Sequence, residues 1–472
     1  MENKSAFKDR VKIAVQDDYL QKSVQNAQER FRTQREMAMN DLGNFQEWRN
    51  RAQEIRAHVI ENLDSYLEQL SENVEKNGGY VYFAATKEEA VEYVTQLAKK
   101  KQAKSVIKSK SMVSEEIHLN QALEKLDVEV VESDLGEYII QLAKETPSHI
   151  IAPAIHKNRK QIAELFSRVA GETLSDDTKT LTAFARRQLR EKFLKADIGI
   201  SGCNFAIAES GSVVLVTNEG NGRLTTTLPK THVAIMGMER LVPTWEDLDV
   251  LLSLLPRSAT GQRITSYVTA ITGPRKHEDG DGPEEFHLVI VDNGRSSILG
   301  TRYQQVLNCI RCGACLNVCP VYRHIGGHAY GGVYSGPIGA VLTPLLEGIE
   351  KWKELPYASS LCGACTDVCP VKIPLHDYLI FLRQDVVDAK LTPFSERMAF
   401  KGFGFAAERK AIYDFSVAMA HKVLKPFSNE SHIEKGPGPL SDWTDVKDFP
   451  LPPKDSFRSW WKEEKGGDKI GK

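Results

Sequence analysis

Cys309-Ile-Arg-Cys312-Gly-Ala-Cys315-Leu-Asn-Val-Cys319-Pro320 is followed further along the chain by Ser359-Ser-Leu-Cys362-Gly-Ala-Cys365-Thr-Asp-Val-Cys369-Pro370. The first stretch is a complete C-x2-C-x2-C-x3-C-P pattern. Three close thiolates at that spacing can wrap three irons of one [4Fe–4S] cube. The fourth, carried off by the next helical turn, reaches a different cluster. Gly313 permits the tight bend around a cube, and Pro320 ends local hydrogen bonding and turns the chain outward. The second stretch repeats the pattern with one substitution, because Ser359 stands where the first cysteine falls.

Crossing the ligands as two-cluster proteins do assigns Cys309, Cys312, Cys315 and Cys369 to cluster 1. Cys319, Cys362 and Cys365 go to cluster 2, which lacks a fourth thiolate. Three outcomes are open there: ligation by Ser359 or another group, ligation by water or a partner, or a [3Fe–4S] cluster. Structural zinc can use paired C-x2-C motifs, but seven cysteines with two Cys-Pro ends fit it poorly. Adjacent duplicate clusters point to an electron relay. His324, His328 and His376 read as surface residues or residues behind the ligands. The eighth cysteine, Cys203, reads as a buried structural thiol.

Outward from the motifs the chain changes character on both sides. Residues 296–388 carry the cysteines and form an α-helical ferredoxin-like domain. Residues 389–472 form a C-terminal extension: glycine and aromatics to Tyr413, then a proline-rich tail with Gly436-Pro-Gly-Pro439 and Phe449-Pro-Leu-Pro-Pro453 that reads as extended. Residues 78–295 alternate strand and helix patterns. Tyr80–Ala84, Ser105–Lys108, Val128–Val131, Ile150–Ala152, His232–Met236 and Leu288–Val291 read as strands. Thr86-Lys-Glu-Glu89 reads as a capping box, and a helix through Ile117, Leu119, Leu123 and Leu126 follows. The pattern implies a mainly parallel sheet with helices on both faces. Residues 1–77 lack proline and place Phe45, Trp48, Ile55, Val59, Leu63, Leu67 and Leu70 at helical steps, giving two or three packing helices.

Composition sets bounds. The 472 residues allow two to four domains. Lys and Arg (61) nearly balance Asp and Glu (63), so no basic footprint for nucleic acid exists. No apolar run reaches the ~20 residues of a membrane span, and Met1–Asp18 lacks a signal-peptide core. A cytoplasmic location follows, with any membrane contact made through a partner. Seven clustered cysteines in a reducing compartment argue for metal over disulfides.

Within the α/β stretch, Ala208-Glu-Ser-Gly-Ser-Val213 puts Glu209 at a strand-to-strand turn, where a carboxylate can act as nucleophile or base or simply cap the turn. Ser109–Ser114 and Asn218–Arg223 combine small residues with a cation, which suits an anion pocket, although neither holds a Walker or G-x-G-x-x-G pattern.

These stretches together resemble the lactate utilization protein B family: Ser201–Val213 with Thr217–Arg223, Gly282-Pro-Glu-Glu-Phe-His287, both cysteine motifs, Tyr334-Ser-Gly-Pro-Ile-Gly339 and Gly436–Leu440. The resemblance implies an α/β lactate-utilization domain related to a sugar-isomerase and CoA-transferase-like fold, joined to an α-helical ferredoxin. It implies an electron-carrying subunit that acts with two companion proteins in oxidising L-lactate to pyruvate. The electron donor or acceptor, protein or quinone-linked, is not specified. The family's seven ligands fall on Cys309, Cys312, Cys315, Cys319, Cys362, Cys365 and Cys369, and the missing eighth is a family trait. No flavin fingerprint is present.

Overall fold

Four helices open the computed structural model, which describes residues 6–276 and 280–465: α1 (Phe7–Ala14), α2 (Asp18–Leu42), α3 (Phe45–Glu61) and α4 (Leu63–Lys76). Their apolar steps turn Val24, Phe31, Ile55, Val59 and Leu70 inward. Gly43 breaks α2 from α3 with a positive φ. The helix count here is thus four, against the two or three that the periodicity suggests.

An α/β layer follows: β1 (Tyr80–Ala84), α5 (Lys87–Lys100), β2 (Ser105–Lys108), α6 (Met112–Glu116), α7 (Leu119–Glu124), β3 (Glu129–Glu132), α8 (Leu135–Ala143), α9 (Arg159–Ala170), α10 (Thr178–Lys195) and β4 (Ile198–Ser201). It continues through β5 (Phe205–Ile207), β6 (Ser212–Thr217), α11 (Asn221–Thr227), β7 (Thr231–Gly237), β8 (Leu241–Val242), α12 (Trp245–Thr260), β9 (Tyr267–Ile271) and β10 (Glu285–Val291). Six strands form a parallel sheet in the order β1-β10-β7-β4-β2-β3. Every residue of β7 is buried, as expected of a central strand covered on both faces. Thr86 caps α5 through the Glu89 N–H, while the Glu89 carboxylate accepts from Ala85 rather than Thr86.

Several elements differ from the sequence expectation. Ile150–Ala152 is not a strand. Ile150 shares a cavity wall with Ile310 and Ile338, and the ring of His149 takes the Ile151 and Ala152 N–H groups. The helix expected through Leu126 splits into α6 and α7, because His118 adopts a left-handed φ of 55°. The loop expected at Asn218–Arg223 is half helix, its end forming the start of α11. A second, four-stranded sheet in the order β8-β5-β6-β9 carries mixed pairing.

The cysteine region is helical: α13 (Ala314–Val318), α14 (Pro320–Ile325), α15 (Gly336–Glu347), α16 (Ile349–Trp352), α17 (Ala364–Val368) and α18 (Leu375–Asp388). It packs on the N-terminal helices, with α2 lying against α12, α13 and α14. The described residues up to Val386 form one compact unit, and a second unit begins at Val387.

The second unit holds α19 (Phe394–Ala407), α20 (Lys410–Leu424), the paired short strands β11 (His432–Ile433) and β12 (Phe449–Pro450), α21 (Ser441–Thr444) between them, and α22 (Phe457–Lys465). The long helices α19 and α20 lie ahead of the proline-rich stretch, which holds only short elements, as the mostly irregular and helical reading of this extension expects. No residue of α19 or α20 is buried, and Phe394, Phe400, Phe403 and Phe415 stand exposed. Among the described residues, no helix is long and apolar enough to cross a membrane.

Candidate metal centre

The two cysteine motifs fold into the same local shape. Arg311 and Leu361 take left-handed φ values of 59° and 55°, and Gly313 and Gly363 follow at 74° and 79°. Each glycine opens a one-turn helix, α13 or α17, that ends in the Cys-Pro step. A side chain at Gly313 would also press on His149 and Ile151 at 3.3 Å. In the first motif the Arg311 N–H donates to Cys309 Sγ at 3.4 Å; in the second the Leu361 N–H donates to Ser359 Oγ at 3.0 Å. Ser359 therefore takes the place of the missing cysteine in three dimensions as well as in sequence.

The seven cysteines sort into two groups, each drawing on both motifs. Cys309, Cys312, Cys315 and Cys369 line one cavity, whose remaining wall is largely apolar: Ile150, Ile310, Ile338, Val371, Ile373 and Leu375. Cys319, Cys362 and Cys365 form the other group, each within electrostatic reach of another. Cys315 also senses Cys365, so the groups adjoin. The first group is sheltered, with Cys312, Cys315 and Cys369 buried and Cys309 half-buried; Cys362 of the second is exposed. Among the described residues no three His, Cys, Asp or Glu side chains converge as a single-ion site requires.

Burial, reinforced by neighbouring cysteines, pushes the thiols of Cys312 and Cys315 far up, Cys365 up to about 12 and Cys369 up to about 11. Such thiols ionise at neutral pH only with a cation to compensate. The backbone is arranged for the ionised sulfur: the Tyr322 and Ile373 N–H groups donate to Cys319 and Cys369 Sγ, each at 3.4 Å. Four thiols around an apolar cavity, with N–H donors on the sulfurs, fit an iron–sulfur cluster.

Arginines surround the first group. Arg35 donates to Val368 O at 3.1 Å, Arg49 to Cys369 O at 2.9 Å, and Arg240 to Cys309 O at 3.2 Å. Arg56, buried, spans Asn308 O, Leu307 O, Leu241 O and Glu239 O. Arg311, between two cysteines, lines the cavity wall, lies over Tyr334 at 4.2 Å and pairs with Glu239 at 3.3 Å. Its Nε and Nη1 are buried without a hydrogen-bond partner. Glu239 follows β7 and also meets Arg295 at 2.8 Å and Arg240 at 3.6 Å; Arg295 makes a two-point pair with Glu116. This network sits over the carboxyl ends of β7 and β10. It needs Gly237, because a Cβ there would lie 2.2 Å from the Glu239 carboxylate.

The non-strand segment of residues 148–152 is a latch on the same cavity. His149, held neutral with its value lowered to about 3 by burial and by Lys110, accepts the Ile151 and Ala152 N–H groups through Nδ1. Its Nε2 donates to Asn317 Oδ1 at 3.2 Å, and Asn317 in turn donates to Ala259 O. Sequence reasoning missed His149, the arginines and Glu239, whose partners lie far off along the chain.

The other sequence candidates stand elsewhere. Glu209 is exposed and accepts the Trp245 N–H at 2.8 Å at the start of α12, a capping contact. Half of Ser109–Ser114 is the start of α6; Lys110 just ahead of it already faces Glu137 at 3.6 Å, and Arg223 lies over Tyr267. Cys203 is half-buried, its thiol pushed up to about 12 by burial. His324, His328 and His376 bond to Gln21, Thr146 and Thr366.

A parallel α/β domain that grips a twofold-repeated cysteine fold with crossed thiol groups defines an iron–sulfur protein of the dicluster ferredoxin class. The chain matches the LUD domain over residues 67–291, the 4Fe-4S dicluster domain over 305–373 and the "Lactate utilisation protein B, C-terminal" family over 386–466. It is 58% identical over 465 residues to lactate utilization protein B of Oceanobacillus iheyensis, covering 98% of this chain and 97% of that one. It is 59% identical over 457 residues to the protein of the same name from Shouchella clausii, covering 97% and 96%. A solved DUF162 family protein from Deinococcus radiodurans, 11% identical with a TM-score of 0.28, covers 48% of this chain and 98% of its own. The chain belongs to the lactate utilization protein B family.

Proposed function

We propose that this chain is the iron–sulfur electron-transfer subunit of a cytoplasmic system that oxidises L-lactate to pyruvate, working with two companion lactate-utilization proteins and not as a stand-alone enzyme. The observation that carries the reading is the crossed sorting of the cysteines: one sheltered set of four and one set of three that reaches the surface. Cys309, Cys312, Cys315 and Cys369 hold a first [4Fe–4S] cluster. Cys319, Cys362 and Cys365 hold a second, with Ser359 Oγ in the fourth ligand position. Bound clusters of this type take up and release single electrons. Exposed Cys362 gives a redox partner close approach. The apolar wall of the first cavity, with Ile150 over it, keeps water from the other site, and the N–H donors on Cys319 and Cys369 steady the ionised thiolates.

Anaerobic purification with iron and sulfide analysis, followed by EPR before and after dithionite, tests the ligand reading. About eight irons per chain are expected for two cubes; stoichiometric zinc in place of iron would end it. Lactate supplied with the two companion proteins should then reduce the clusters. Clusters that stay oxidised under those conditions would refute the role in lactate oxidation.

A further inference from the structure

We propose that Arg311, together with Arg35, Arg49, Arg56 and Arg240, forms a cationic shell that raises the reduction potential of the cluster held by Cys309, Cys312, Cys315 and Cys369, and that Arg311 acts on it directly through the free N–H groups of its Nε and Nη1. The inference rests on the two-cluster reading above.

Three observations carry it. First, Arg311 lines the cavity between two of the four thiols, and its Nε and Nη1 are buried with no partner. A buried guanidinium N–H left unpaired is costly, so its placement at a cavity wall calls for an acceptor inside. Cluster sulfides and thiolate sulfurs are acceptors of that kind. Second, the charges converge on one site. Arg35 lies near Cys312 and Cys369, Arg49 near Cys369, and Arg56, Arg240 and Arg311 near Cys309. Arg56, Arg240 and Arg311 share one buried carboxylate, Glu239, which also pairs with Arg295, while Arg35 and Arg49 have only Glu36 and Asp367 nearby. Third, much of this is more than the packing needs. Arg35 has only one of its nitrogens tied, to Val368 O, and its buried Nε is free.

The cluster gains a negative charge when reduced, so nearby fixed positive charge and donated hydrogen bonds favour the reduced form. The same shell steadies four thiolates in a site where burial opposes their ionisation. At the second group no comparable ring occurs among the described contacts; Arg383 ties the Ser359 loop through the Ser359 and Pro356 carbonyls.

The test is an EPR-monitored redox titration of the full-length, cluster-loaded chain with dithionite and ferricyanide. Cys362→Ala, which lacks a second-group ligand, identifies the first cluster's signal. In Arg311→Met and Arg35→Gln, the reduction equilibrium of the first cluster should fall roughly tenfold per charge removed, the scale of a Coulomb term across protein, or about 59 mV for one electron. Arg311→Lys should fall by less, keeping the charge and losing the fork. The second cluster should not move. Unchanged first-cluster midpoints in both charge-removal variants, or equal shifts of both clusters, would overturn the proposal. If Arg311→Met loses its iron, Arg35→Gln decides, because Arg35 does not touch Glu239. Absence of iron from the unmodified chain is a separate failure, read in the metal analysis before any titration.

Discussion

Replacing Glu239 by glutamine keeps the side-chain shape and removes one buried charge. The carboxylate is 1% exposed and meets Arg295 at 2.8 Å, Arg311 at 3.3 Å and Arg240 at 3.6 Å. Burial alone would raise its pKa, but Arg295, Arg240 and Arg311 outweigh burial and hold it well below the usual carboxylate range. In the variant, Arg295 keeps both oxygens of Glu116 and Arg311 keeps the face of Tyr334. Arg240 keeps only Cys309 O. The loss is therefore that of one unbalanced buried cation, about 3–5 kcal/mol when a buried pair is broken. Urea unfolding of the metal-free chain at pH 7, followed by tryptophan fluorescence, measures it as a lower midpoint at unchanged slope. The pH dependence gives an independent check. A folded value below the ordinary 4.5 stabilises the fold above that pH and is lost as acid protonates the folded carboxylate. The deficit of Glu239→Gln should therefore shrink below about pH 4. A loss under about 1 kcal/mol at pH 7, the scale of an exposed pair, would refute the network as a structural element.

Cys369→Ala, although in the second motif, should remove the cluster of the first, and Cys362→Ala only the other; iron counts and EPR separate them, and loss of the Cys362 cluster from Cys369→Ala would break the crossed assignment. Ser359→Cys should complete the second site with a thiolate and slow its loss of iron in air, seen as a slower decay of cluster absorbance. Glu137 is raised to about 8 by burial, so the folded chain holds a proton that the unfolded chain releases; stability should fall as pH rises from about 4.5 to 8, and Glu137→Gln should flatten that slope in urea midpoints. Asn317→Leu strips His149 Nε2 of its acceptor and should cost about 1–3 kcal/mol, measured in the same way.

The cysteine spacing made the two motifs and the place of Ser359 in the repeat legible, because each motif's local shape is set over a dozen contiguous residues. The parallel sheet was legible for a similar reason: β1, β2, β7 and β10 are local apolar runs. The arginine shell was not. Arg35, Arg49, Arg56, Arg240 and Arg311 come from scattered parts of the chain and read singly as solvated charge. Ile150–Ala152 has a strand's composition, but nothing in three apolar residues reveals that the Ile151 and Ala152 N–H groups go to a histidine ring. The two-residue β8 lies below what alternation can signal, and β9 is half exposed.

The crossing of thiols between the two motifs bears on the order in which the protein is made. A newly synthesised chain presents Cys309 through Cys319 on the order of seconds before Cys369 leaves the ribosome. Neither thiol group is complete in that interval, so a nascent chain offers iron only partial sites. Under the proposed crossed assignment both sites become complete only once the second motif has folded back, so cluster loading follows synthesis of that motif.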